Sequence, residues 1–343
     1  MFECNPGMLI MSSYPSSAPR FTQTVIATAL LSSVLWMTAA IAGPLSIALP
    51  GARAFPESIT STPDGTLFIG RLAEGGIVRA NSRTGEADLF VVPGAAGSRS
   101  ITGVFADEAS GTLWACSNDL SALGGTSSGG DRGSALKGFD LQTGADKRSV
   151  PLPGPDAFCN DIAVDASGAV YVTDSAAPNV LRLPARGATF EVFASSPQFL
   201  PPKAGSAGLD GIAFGGDGNL YVTTYAAGGL FRIDVEKGKA GRVTRLRGAP
   251  LTLPDALRPL RQGSFLLVEG AGTLDRVDIE GDGFKAATIR GGFRTPTSVT
   301  RLGSTAWVSE GQLSFFFDHS QKSQPPSLPF RIYAVPLDKG QTQ

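Results

Sequence analysis

One hairpin pattern recurs along the chain and constrains its fold more than any other feature. Phe55-Pro56-Glu57-Ser58-Ile59-Thr60 is followed by a turn, Pro63-Asp64-Gly65, and a second apolar run, Thr66-Leu67-Phe68-Ile69. An apolar strand, an Asp-Gly turn and another apolar strand are the signature of a β-hairpin. The order returns at Cys159-Asn160-Asp161-Ile162-Ala163-Val164, Ser167-Gly168 and Ala169-Val170-Tyr171-Val172, and again at Leu209-Asp210-Gly211-Ile212-Ala213-Phe214, Asp217-Gly218 and Asn219-Leu220-Tyr221-Val222. Shorter copies begin at Thr102-Gly103, Pro254-Asp255 and Pro296-Thr297. Further strand-like runs follow each hairpin, such as Val180-Leu181-Arg182-Leu183 and Leu230-Phe231-Arg232-Ile233. Six units of four short strands, spaced by roughly 43 to 58 residues, predict an all-β, six-bladed β-propeller with four antiparallel strands per blade.

The rest of the chain fits this frame. Residues 120–130 read as a Gly/Ser-rich surface insertion in blade 2, and Pro197 to Gly208 as a loop between blades 3 and 4. The glycines mark hairpins, so a Rossmann-type cofactor domain is excluded. A formal net charge of -1, with no basic run, excludes nucleic acid as a partner. His319 is the one histidine of the sequence, which argues against a His-rich zinc site and against a Ser-His-Asp triad. Asp318 to Pro329 reads as a loop of the last blade and Pro329 to Val335 as a strand. A propeller must seal its ends, and Leu45-Ser46-Ile47-Ala48-Leu49 is the natural segment to pair with that last blade.

The start of the chain reads as an address. Arg20 precedes an uncharged apolar run, Val25 to Ala40, which closes on Ala40-Ile41-Ala42. Small residues at that end suit cleavage before Gly43. The expectation is therefore a signal peptide over 1–42 and a single propeller domain over 43–343. The mature protein would be periplasmic or secreted, with no stable membrane span after cleavage, and monomeric. Cys116 and Cys159 would remain. Export makes a disulfide chemically possible, but two buried thiols packed as small apolar groups is the simpler expectation.

The turn glycine of each hairpin serves as a ruler. Eight residues before it stand Glu57, Gly103, Asn160, Asp210 and Asp255, with Thr297 at the comparable place in the sixth unit. First strands of blades line the central channel, so these positions converge at one depth. Three carboxylates gathered in a narrow channel repel one another and lose hydration, which calls for protons or a cation. Oxygen donors without thiolate or imidazole suit hard cations. Calcium, which tolerates irregular shells, is the best match among them, although another divalent cation is possible. Glu57, Asn160, Asp210 and Asp255 are the candidate metal ligands.

Pro56-Glu57-Ser58-Ile59, Asn160-Asp161-Ile162-Ala163, Leu209-Asp210-Gly211-Ile212 and Leu253-Pro254-Asp255-Ala256 resemble motifs of the SMP-30/gluconolactonase and paraoxonase-like superfamily, over about residues 50 to 337. The resemblance implies a six-bladed propeller with a catalytic calcium in its channel, hydrolysing lactones and similar esters, and implies the same four residues as ligands. The chain departs from the paraoxonase-like branch at Thr102-Gly103, where that branch carries a histidine. It departs again at Ser58, where an acidic ligand of a second calcium is expected, although Asp161, at the other such position, is retained.

In the mechanism that follows, the cation polarises the carbonyl and stabilises the oxyanion, while Asp255 or Asp210 orients or deprotonates water. Six residues beyond each turn glycine lie Arg71, Ser117, Asp174, Thr224, Glu269 and Ser309, expected at the channel mouth, with Asn118 and Tyr225 one position on. Arg71, Asn118, Tyr225 and Glu269 are the candidate substrate-binding residues, with Arg71 equally suited to pair with Glu74 or Glu269. The competing function is a non-catalytic, exported propeller that binds a ligand or protein and uses a channel cation structurally.

Overall fold

The computed structural model of the chain describes residues 43–126, 132–318, 320 and 324–338. The expected signal peptide, residues 127–131 of the glycine-rich insertion and His319 lie outside these. Six sheets of four antiparallel strands are present, as the repeat requires. Their inner strands are Pro56–Ser61, Ser100–Asp107, Cys159–Val164, Leu209–Phe214, Pro254–Arg261 and Pro296–Leu302, which define blades 1 to 6 in chain order. Turn glycines permit the hairpins: Gly168 and Gly218 take φ of 80° and 79°, a region open to glycine at no steric cost.

The ring closes where expected. Ser46–Ala48 pairs antiparallel with Arg331–Pro336 and so becomes the outer strand of blade 6, whose other three strands come from the far end of the sequence. A single helical turn, Ser314–Phe317, precedes the stretch from Asp318 to Pro329, whose described residues form no helix or strand.

The core is divided among the seams between blades. Phe68, Ile101, Val104 and Leu113 pack between blades 1 and 2. Ile162, Val170 and Leu136 pack between 2 and 3, and Tyr171, Ile212 and Leu220 between 3 and 4. Tyr221, Leu257 and Phe265 continue between 4 and 5, and Ala256, Leu266 and Val299 between 5 and 6. Phe55, Ile59, Trp307 and Phe330 complete the circle. Each alternating strand therefore buries both faces, one against each neighbouring blade. The expectation of two free thiols is corrected here. Cys116, on the second strand of blade 2, and Cys159, opening the inner strand of blade 3, face each other across one seam and form a disulfide with Cα atoms 5.2 Å apart.

Candidate metal and catalytic site in the channel

Every inner strand carries a β-bulge near its start. Pairing with the second strand skips between Pro56 and Ile59, Ile101 and Val104, Cys159 and Ile162, Leu209 and Ile212, Pro254 and Leu257, and Pro296 and Ser298. A bulge adds an unpaired residue and re-aims side chains. The first bulged residues are Glu57, Thr102, Asn160, Asp210, Asp255 and Thr297. The ruler thus holds in five blades and misses by one in blade 2. There the strand is one residue longer between bulge and turn, so Thr102 rather than Gly103 is equivalent to Glu57. Gly103 instead allows close approach of the next blade: a Cβ there would stand 2.3 Å from the Asn160 carbonyl oxygen.

Hydroxyl groups lock these bulges together. Thr102 Oγ1 donates to the Cys159 carbonyl at 2.7 Å, and Thr297 Oγ1 to the Pro56 carbonyl at 3.0 Å. Thr173 Oγ1 donates to the Asp210 carbonyl at 2.5 Å, and Thr223 Oγ1 to the Asp255 carbonyl at 2.9 Å. Ser58 Oγ accepts from Val104 N at 3.1 Å, and Arg301 reaches the Leu260 carbonyl at 2.5 Å. Every seam is thereby bridged by a side chain. The approach to three bulges is itself unusual. Phe55, Leu253 and Thr295 have φ of 42°, 56° and 49°, and each precedes the proline that opens the inner strand. Such φ values in bulky or β-branched residues are uncommon and cluster at functional sites.

Glu57, Asn160, Asp210 and Asp255 are all buried. Asn160 Nδ2 donates to Ser175 Oγ at 2.9 Å and to Asp210 Oδ2 at 3.3 Å. Burial pushes Asp210 up to about 7, with Asp161 adding to the rise and the bonds from Asp255 and Asn160 opposing it. Glu57 is raised well above the carboxylate range by burial, then by Asp210 and Asp161. Asp255 is raised by burial, by the charges of Asp210 and Glu57, and by the hydrogen bond that its protonated carboxyl donates to Asp210. Among the described residues no group of three or more His, Cys, Asp or Glu side chains stands where it could hold a metal ion.

Below this layer lies a feature the sequence reading did not assign. Arg258, three residues after Asp255 on the same strand, crosses to blade 3 and grips Asp161 with two nitrogens, NH1 to Oδ2 at 2.6 Å and NH2 to Oδ1 at 2.7 Å. Asp161 Oδ2 also accepts from Ile212 N at 3.1 Å. A charged residue amid the apolar run Ala256-Leu257-Arg258-Pro259-Leu260 was the available signal.

The expected mouth residues divide. Tyr225 is brought to the site: burial and the charges of Asp255, Asp210 and Glu57 all raise its phenol, keeping it protonated. Arg71 is buried and pairs with Glu74. Asn118, at the end of the second strand, is buried in the seam between blades 2 and 3. Its amide donates to Thr102 Oγ1 at 2.9 Å and the Cys159 carbonyl at 2.8 Å, and its Oδ1 accepts from Cys159 N at 3.1 Å. Glu269 accepts from Thr252 N, Asp174 from Phe158 N at 2.9 Å, and Ser117 from Arg99 N at 2.9 Å. In blade 6 the register gives this place to Glu310 rather than Ser309, and Glu310 accepts from Arg294 N at 2.9 Å. The second-strand ends therefore hold the connections that lead into the inner strands. A cavity of about 470 Å³ opens at the same end of the ring, lined by Arg53, Phe55, Leu123, Phe315 and Pro326.

No family model and no curated protein matches the chain. Solved structures do. The major allergen Mala s 1 of Malassezia sympodialis superposes with a TM-score of 0.65 at 18% identity, over 85% of this chain and 96% of that one. A gluconolactonase of Xanthomonas campestris gives 0.61 at 16%, over 85% and 89%. A virginiamycin B lyase of Staphylococcus aureus gives 0.55 at 17%, over 84% and 83%. The protein is a six-bladed propeller with gluconolactonases and lyases among its structural neighbours.

Proposed function

We propose that the protein is a calcium-dependent hydrolase of a lactone or similar ester, working at the channel mouth. The observation that carries this reading is the convergence of three buried carboxylates and one amide from four different blades. The oxygen chemistry of this set suits a hard cation. Glu57, Asn160, Asp210 and Asp255 would hold it, once the proton between Asp255 and Asp210 is released. Bound there, the cation would polarise a carbonyl and stabilise developing negative charge.

The chain's own groups supply the rest. A carboxylate freed of that proton, Asp255 or Asp210, takes a proton from the attacking water. The Tyr225 phenol, kept protonated, can donate to a substrate oxygen above the carboxylates. Export to the periplasm or medium is supported by the Cys116–Cys159 disulfide, a bond typical of oxidising compartments.

A non-catalytic propeller is the second reading, and the mouth favours it at one point: Asp174, Ser117 and Glu269 are engaged with backbone. Calcium content and hydrolysis of a lactone panel, with and without chelator, separate the two. Under the enzyme reading, Asp210→Asn and Glu57→Gln lose calcium and at least about 10²-fold in rate. Calcium bound without turnover on any lactone or ester supports the binding module.

A further inference from the structure

We infer that Arg258 is a fixed counter-cation for Asp161, which makes the channel floor independent of metal and leaves the channel one exchangeable cation. The inference deepens the calcium reading but rests on a pair that exists without calcium. Four buried carboxylates, Glu57, Asp161, Asp210 and Asp255, meet in the channel, and among the described residues Arg258 is the cation whose charge reaches them. The guanidinium is not shared evenly. Both Asp161 oxygens are taken by it, at 2.6 and 2.7 Å, and the remaining capacity of Oδ2 goes to Ile212 N. A planar fork on a carboxylate is the strongest geometry available to such a pair.

The consequence is a division of labour. Asp161 immediately follows Asn160, so its side chain belongs to the same bulge as a candidate ligand, yet it is withdrawn from the ligand set. Glu57, Asp210 and Asp255 are left facing the mouth. Arg258 lies on the strand that carries Asp255 and crosses the channel to the strand that carries Asn160. The pair therefore braces two ligand-bearing blades from beneath. Arg258 is a positioning residue, for it need not touch a substrate to do this.

Removing one member of a buried pair is far more damaging than removing both, because a lone charge stays behind. This asymmetry makes the role testable without reference to activity. Thermal unfolding and calorimetric titration with calcium chloride are measured on the full chain, Arg258→Met, and Arg258→Met with Asp161→Asn. In chelator, Arg258→Met is expected to melt about 5–10 °C below the parent. Calcium should restore it while the stoichiometry rises from one to two. In the double variant the melting point in chelator should return to near the parent's, with one calcium bound.

Two calcium ions on the parent chain would overturn the inference. So would an Arg258→Met protein that melts with the parent in chelator, or a deficit that Asp161→Asn does not repair, which would mark Arg258 as packing alone. Should Arg258→Met fail to fold, a double variant that folds supports the inference and one that also fails overturns it. A parent that binds no calcium sinks the hydrolase reading instead. The chelator melts would still decide the role of Arg258.

Discussion

Asp210 shows how burial and neighbours turn an ordinary side chain into a reporter. Its folded pKa, about 7, lies above the unfolded value near 3.8, so between those values the folded chain holds a proton that the unfolded chain has lost. Stability therefore falls as pH rises through that window and is highest below it. Glu57 and Asp255 are shifted in the same direction and add to the effect. Metal-free protein should melt at a lower temperature at pH 7.5 than at pH 5. Calcium should reverse the order, since binding displaces the same protons and tightens with pH. A metal-free melting point that rises over this range would contradict the assignment. The bulge positions of the four candidate ligands were legible in the sequence because each sits at a constant distance from a turn glycine. Arg258 was not, because its partner is 97 residues away across the channel, and no local spacing encodes that.

At the scale of strands and turns, the bulges do the positioning, and hydroxyls hold the bulges. Tyr171-Val172-Thr173-Asp174 and Tyr221-Val222-Thr223-Thr224 occupy matching places in blades 3 and 4. In each the first Thr bonds a neighbouring ligand's carbonyl and accepts a backbone N–H, from Asp161 at 3.0 Å or Gly211 at 2.8 Å. Thr173→Val keeps the shape but orphans two buried partners, for an expected loss of about 2 kcal/mol in urea unfolding. Calcium affinity should fall with it, because the Asp210 backbone loses its tether. The hairpins were readable from alternation and turn residues, whereas bulge register was not. One extra residue in blade 2 moved the channel position from Gly103 to Thr102 without changing the local pattern. The disulfide escaped for a related reason: Cys116 and Cys159 meet only because a second strand packs against the next blade's first strand, 43 residues on.

At the scale of the ring, six seams share the core, and the largest of them joins the two ends of the chain. Deleting 44–49 removes Ile47 and Leu49 from the seam that also holds Phe55, Trp307 and Phe330, and strips blade 6 of its outer strand. The expected result is a melting point lower by 10 °C or more, beyond the cost of a typical core substitution of about 2–5 kcal/mol. Circular dichroism on heating checks it.

That same closure also sets when function can first appear. The four candidate ligands come from blades 1, 3, 4 and 5, so all have left the ribosome well before Arg331–Pro336 is made. Until that last strand pairs with Ser46–Ala48 the ring is open, and the candidate ligands lack the closed channel that gathers them. On the calcium reading, ion capture therefore waits for closure of the ring, and a chain interrupted late acquires no working channel from the five blades it already has.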